Sequence, residues 1–247
     1  MHIAVQQGLQ RMGSYDFGDI LGQEIDLQLN RMQERFIKQK FDISLTDPLG
    51  FQETQKRLDD LRTLIVEKTY DTVVPSADLG ENPDYETIII DEGQRWRVRF
   101  PVGSVENPAY LFLINARIKV KADSECPDSS AIETPVRLIK QDVLPRMLRH
   151  PFGKSTFINP VGAIVDDKLY IYGDGQMVVQ EVYIDYIKQP ADIIYGQGHT
   201  PATGDTQDSE LPDHTHNEIV DMTVRHMSAL IQAPNYEQQT LETRQNE

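Results

Sequence analysis

The chain has 247 residues, 39% of them hydrophobic, enough to bury the core of one large domain or two small ones without disulfide staples. With 39 acidic residues against 24 basic ones, its formal charge is −15, a surface that repels nucleic-acid phosphates and argues against tight DNA or RNA binding. A single cysteine, Cys126, excludes an internal disulfide framework and a cysteine-rich zinc site, and no apolar run reaches the roughly 18 residues that span a bilayer.

The opening MHIAVQQGLQRMGSYD has neither a basic lead nor an apolar block, so no signal peptide is expected and the chain is expected to stay in the cytoplasm that made it. Val5, Leu9 and Met12 predict a short helix that stops at Gly13. From Asp19 to Phe41, the residues Leu21, Ile25, Leu29, Met32 and Phe36 recur at spacings of four, four, three and four. On a helix that places them within about 80° of one another, a long amphipathic stripe. Asp47-Pro48 then opens a third predicted helix, with Phe51, Thr54, Leu58, Leu61 and Ile65 on one face.

The period changes after Asp71. RWRVRF alternates Trp96, Val98 and Phe100 with Arg95, Arg97 and Arg99, and ARIKVKA sets Ile118 and Val120 against Arg117, Lys119 and Lys121, which predicts two half-buried strands. GSVENPAY between them reads as turn material, and ADSECPDSSAIETP as a polar loop. VRLIK predicts a strand, and QDVLPRMLRHPF a short helix with Pro145 in its first turn. From Val161 to Lys188, three apolar runs separated by Asp166-Asp167 and Gly173-Asp174-Gly175 predict a three-stranded antiparallel meander. A connector rich in Gly, Pro, Thr and Asp leads into HTHNEIVDMTVRHMSALI. There Ile219, Val220, Thr223, Val224, Met227, Leu230 and Ile231 share an arc of about 140°, a core-facing helix. Asp213 is placed to cap it, or Thr215 does so with Glu218 closing a capping box.

The predicted class is therefore α+β, with N- and C-terminal helices forming a helical bundle and an antiparallel β domain inserted between them. Its parts are an N-terminal helical portion over residues 1–70, a mainly β domain over 71–195 with a short helix near 141–150, a connector over 196–212, a C-terminal helix over 213–232 and a polar tail over 233–247. Residues 201–247 carry nine carboxylates against Arg225 and Arg244, a net charge of −7.

The histidine-rich helix is the natural place to look for a metal. A single helix ligates through His at i and i+4, whereas His214 and His216 stand about 160° apart on a helical wheel, and His226 has no histidine four residues away. That leaves His214, Glu218 and Asp221 on a polar face, which in most proteins is simply solvated. Asp16-Phe17-Gly18 lacks the other kinase motifs, and YGDGQ at 172–176 lies between strands without the lysine and helix of a phosphate loop. The acidic neighbours of Cys126 disfavour its thiolate. No catalytic residues, metal or cofactor are assigned, and a binding or structural role is expected. Carboxylate pairs such as Asp166-Asp167 sit in turns, where water usually solvates them, and the alternatives are a metal- or carboxylate-dependent hydrolase, with a carboxylate pair brought together by folding, or a monomeric cytoplasmic interaction module.

Three stretches resemble a known family. HIAVQQGLQRMGSYDFGDILGQEIDLQLNRMQERFIKQKFD resembles the N-terminal helical hairpin of collar ring proteins of short-tailed, crAss-like bacteriophages. EVYIDYIKQPADI resembles their terminal strand, a run ending in Tyr-Ile-Lys-x-Pro, and LPDHTHNEIVDMTVRHM is similar to their C-terminal helix. The resemblance implies a head-to-tail connector, a virion protein assembled in the host cytoplasm that stacks as a ring, commonly of twelve copies, beneath the portal. Its implied partners are further copies of itself, the portal protein and other collar or tail rings, with genomic DNA only as passing cargo and no membrane.

A head-to-tail interface repeated by rotation closes into a ring, and it needs apolar stripes on more than one face. On this reading the helices over 19–41 and 50–66 supply them, through Leu21, Ile25, Leu29, Met32 and Phe36. An acidic conduit holds no phosphate-neutralising cations, so DNA slides through it. The tail NYEQQTLETRQNE is expected to dock on a neighbour or on the portal through Tyr236 and Leu241. The loops at 122–135 and 196–210 are further candidate contacts.

Overall fold

The structure, a computed structural model, describes residues 1–11, 21–41, 59–75, 87–91, 95–103, 108–122, 131–151, 153–174, 177–196 and 206–231. In chain order its elements are α1 (His2–Arg11), α2 (Gly22–Phe41), β1 (Ile65–Tyr70), β2 (Thr72–Pro75), β3 (Thr87–Asp91), β4 (Arg95–Arg99), β5 (Tyr110–Ala122), β6 (Ile132–Pro135), β7 (Arg137–Leu138), α3 (Leu144–Arg149), β8 (Val161–Val165), β9 (Lys168–Tyr172), β10 (Met177–Lys188) and α4 (Asp213–Ile231). The class is mixed α+β. Two compact units result, one made of Met1–Leu64 with Pro190–Glu247 and the other of Ile65–Gln189.

In the first unit α1, α2 and α4 pack pairwise. Their buried apolar stripes are Val5 and Leu9 on α1, Ile25, Leu29, Met32 and Phe36 on α2, and Ile219, Val220, Val224 and Met227 on α4. Gly8 marks a close approach, since a Cβ there would lie 2.7 Å from Cγ2 of Val224. Two expectations for α4 change. Leu230 is 55% exposed, although Met227 and Ser228 beside it are buried. Thr215 lies inside α4, its hydroxyl donating to the Pro212 carbonyl (2.8 Å), so it is not the N-cap that a capping box with Glu218 requires. No helix among the described residues is long and apolar enough to cross a membrane.

Of the third predicted helix, over 50–66, only residues 59–66 fall within the described part of the chain. Residues 59–61 are helical, a 3-10 turn covers Arg62–Leu64, and Ile65 begins β1 instead of closing a helical stripe. IVEKTY is rich in β-branched and aromatic side chains and has a partner strand along its whole length, from Ile65 opposite Ile187 to Tyr70 opposite Val182. Phe51, Thr54 and Leu58 lie outside the described residues.

In the second unit a four-stranded sheet, ordered β1-β10-β5-β6, and a six-stranded sheet, ordered β2-β3-β4-β9-β8-β7, share one core. Tyr70, Ile118, Val120, Val182, Ile184 and Tyr186 come from the first sheet, and Ile88, Trp96, Val98, Leu169 and Ile171 from the second. This is face-to-face packing of two sheets, and the strict alternation read in RWRVRF and ARIKVKA is its inward and outward sides. Most pairs are antiparallel, but β2 with β3 and β7 with β8 run parallel, so the second sheet is mixed.

The predicted meander is corrected. The β8–β9 hairpin is present, with Asp166-Asp167 as its two-residue loop and Asp166 at φ 57°, a left-handed conformation that Asp tolerates. β10, however, does not return along β9. A strand has two edges, and those of β9 are taken by β4 and β8, so β10 crosses to the other sheet and pairs with β1 and β5. Within the segment read as a polar loop, Ile132–Pro135 forms the edge strand β6 against β5. VRLIK contributes only the two-residue β7, and α3 carries Pro145 in its first turn as expected.

Candidate functional site

Of the stripe expected to form a ring interface, Ile25, Leu29, Met32 and Phe36 are all buried in the first unit's own core. They have almost no surface to offer a neighbour, Met32 alone reaching the edge of an open groove, because α1 and α4 already pack against α2. Leu21 stands just ahead of α2 and is 59% exposed, so it alone of the five presents area. Tyr236 and Leu241 lie outside the described residues, as do Cys126 and the Asp16-Phe17-Gly18 tripeptide.

Beside the apolar stripe, α2 carries a second, polar stripe that pattern-reading missed. Asp26, Asn30 and Gln33, at spacings of four and three, face the extended segment 191–195 and satisfy its backbone. Asn30 Nδ2 donates to the carbonyl of Ile193 (3.1 Å) while its Oδ1 accepts from the Ile193 amide (2.7 Å). Gln33 Nε2 donates to the Ala191 carbonyl (3.1 Å), and Asp26 Oδ2 accepts from the Tyr195 amide (2.9 Å). A helix thus takes the place of a strand partner for a segment whose buried backbone groups must be paired.

The far side of this clamp is closed by Ser209, which donates to Gln33 Oε1 (2.6 Å), by Glu210, which accepts from the Ala191 amide (3.2 Å), and by a bridge between Ile194 and Gln207. Residues 206–210 of the 196–210 loop are therefore held within their own chain. His2 joins through Nδ1, 2.7 Å from Asp26 Oδ1, with its ring stacked on Tyr195 at 4.4 Å.

The histidine-bearing start of α4 meets one buried carboxylate. Asp60 has a side chain only 2% exposed, with His214 Nε2 2.8 Å from its Oδ1 and Lys40 Nζ 3.3 Å from its Oδ2. Lys40 also lies 3.3 Å from Glu218 Oε1. Burying a carboxylate costs several kcal/mol unless counter-charges and hydrogen bonds offset it; here Lys40 supplies the charge and His214 lies at hydrogen-bond distance from Oδ1, while Oδ2 has no hydrogen-bond partner among the described residues. His214 and Glu218 are thus tied to residues 60 and 40 of the same unit, while Asp221 and His226 border an open groove of about 470 Å3 with Met32, Arg35 and Arg225. His216 points the other way, to the Leu211 carbonyl at 3.0 Å. Among the described residues no three His, Cys, Asp or Glu side chains are grouped to hold a metal ion.

On the second unit the outer face of the four-stranded sheet is a ladder of opposite charges. Arg117 reaches Glu133 (2.7 Å), Glu67 (3.1 Å) and Asp185 (3.4 Å), and Lys119 bonds Glu181 at 2.6 Å. The hydrogen bond to Glu133, then the charge of Asp185, raises the Arg117 pKa, and the bond to Glu181 raises that of Lys119. Glu181 is lowered in turn by accepting from Lys119 and from the Tyr183 hydroxyl, and Tyr183 is raised by donating to it. Burial raises Tyr110 and Tyr186. In the β8–β9 turn, burial alone would raise Asp167, but the hydrogen bond and charge of Arg99 with the charge of Lys168 outweigh it and hold the carboxyl below its ordinary value.

A different surface surrounds α3. Leu144 and Leu148 anchor the helix on a small core with Val161 and Ala163. Its outer side, with Arg137, Val143, Arg146, Met147 and His150, borders an open groove of about 390 Å3. Compared with known proteins, the chain matches no family model and no curated sequence.

Proposed function

We propose that the chain is a structural virion protein, a ring-forming connector that joins a phage head to its tail beneath the portal and lines the passage for DNA. The observation that carries this reading is the discontinuous helical unit. Residues from both chain ends build it, and a contiguous two-sheet unit is inserted between them, which is the helix, β, helix plan of the connectors that the three stretches resemble. On this reading α1, α2 and α4 form the bundle, and EVYIDYIKQPADI spans the second half of β10 and the segment clamped by α2, where it links the two units covalently.

A collar subunit needs surfaces for its neighbours, and the described residues expose Leu21, Leu27 and Ile3 on the helical unit and Val102, Ile158 and Val178 on the β unit. The −15 charge suits a conduit that must not grip its cargo. Sedimentation velocity and negative-stain electron microscopy of the purified chain, alone and mixed with portal protein, test the proposal. A closed ring, or a ring formed only on the portal, is expected. A species that stays monomeric in both conditions overturns it.

A further inference from the structure

Against the overall acidity, residues 137–154 stand apart. Arg137, Lys140, Arg146, Arg149 and Lys154 oppose the single Asp142, a local charge of +4 in a chain of −15. All five cations are exposed, and none has an ion-pair partner among the described residues, whereas Lys38, Lys40, Arg62, Arg99, Arg117 and Lys119 each do. Arg137 and Arg146 line the α3 groove together with the half-buried Met147 and the exposed Val143, and Lys140, Arg149 and Lys154 belong to the same stretch of chain.

Identical subunits that each carry −15 repel one another, so a stable contact between copies needs opposite charges where they meet. The described residues 206–231 supply the complement, with Asp208, Glu210, Asp213, Glu218 and Asp221 against Arg225. Glu218 and Glu210 are engaged within the chain, but the Asp213 side chain is fully exposed and Asp221 faces open solvent.

We infer that the cationic α3 groove of one copy docks the acidic opening turns of α4, around Asp213 and Asp221, of a second copy. The inference rests on the ring reading and names the contact that closes the ring. The two patches differ and lie on different units, so the pairing is heterologous: each subunit offers its groove to one neighbour and its α4 to the next, and the contact repeats by rotation.

The test uses the full chain. R146E/R149E and, separately, D213K/D221K should each weaken assembly by about tenfold or more while leaving the thermal midpoint near that of the unmodified chain, and the four-fold combination should restore assembly. Assembly is read by sedimentation with and without portal, and a fluorescent 20-base-pair duplex, whose phosphates would also suit the cations, is titrated in parallel. Rings that persist in both double variants overturn the docking but leave the ring reading intact, and loss of duplex binding in R146E/R149E with rings unchanged makes DNA the occupant instead. Loss in both variants without recovery in the combination also overturns the pairing. An unmodified chain that stays monomeric in every condition removes the ring reading and this inference together.

Discussion

At the scale of single residues, burial decides which side chains hold the fold and which are free for a partner. Leu29 is fully buried, so Leu29→Ala should cost about 2–5 kcal/mol and lower the thermal midpoint, whatever its effect on assembly. Leu21→Asp should leave that midpoint nearly unchanged, and any effect should appear in sedimentation alone. Gly8→Ala pushes a methyl onto Val224, and overpacking of this kind costs about 1–3 kcal/mol, readable in chemical denaturation. A Gly8→Ala chain as stable as the original would show that α1 can shift away from α4 freely. The apolar stripe of α2 was legible at once from its spacing, and four of its five residues are core. Its function was not legible, because a stripe that packs inside the chain and one that packs on a neighbour have the same period. The polar clamp could have been found from the same helix, since Asp26, Asn30 and Gln33 repeat beside the apolar stripe, but its object, residues 191–195, is separated from it by most of the sequence.

At the scale of elements, strands are held by cross-strand charge as well as by the shared core. Asp167 and Glu181 have folded pKa values below their ordinary ones. A carboxyl shifted down contributes stability that is complete above the ordinary carboxylate range and is lost as pH falls through the lowered folded value. The thermal midpoint should therefore fall on acidification below about pH 4, and Arg99→Ala should reduce the part of that fall due to Asp167. Lys119 and Tyr183 are shifted up, so whatever they contribute is present at neutral pH and disappears only as pH rises through their folded values. Both ion pairs are partly exposed, so the changes should be modest and screened in part by salt. Element type was readable wherever alternation was strict, as in β4 and β5. Pairing was not. The turn signal at Gly173-Asp174-Gly175 is real punctuation, but whether the next strand folds back depends on whether an edge is vacant, and β4, drawn from some seventy residues earlier in the chain, had filled it.

At the scale of the molecule, the β unit begins and ends on neighbouring strands: Ile65 pairs with Ile187 across β1 and β10. An insertion whose ends meet can be removed without stretching its host. Residues 65–189 expressed alone should fold, with one cooperative transition and a β-type circular dichroism spectrum. Residues 1–64 joined to 190–247 by a short Gly-Ser linker should retain helical signal, and failure of both pieces would show that neither core is sufficient alone. The amino-acid order by itself determined the elements with a clear period, the α+β class, the charge asymmetry and the helical character of both ends, because these depend on neighbours within a turn or a strand. Only the tertiary structure decided that β10 changes sheet, that Ile65 starts a strand, that the α2 stripe is interior and that His214 answers to Asp60, because each depends on which distant segment meets a free edge, an apolar face or an unpaired charge.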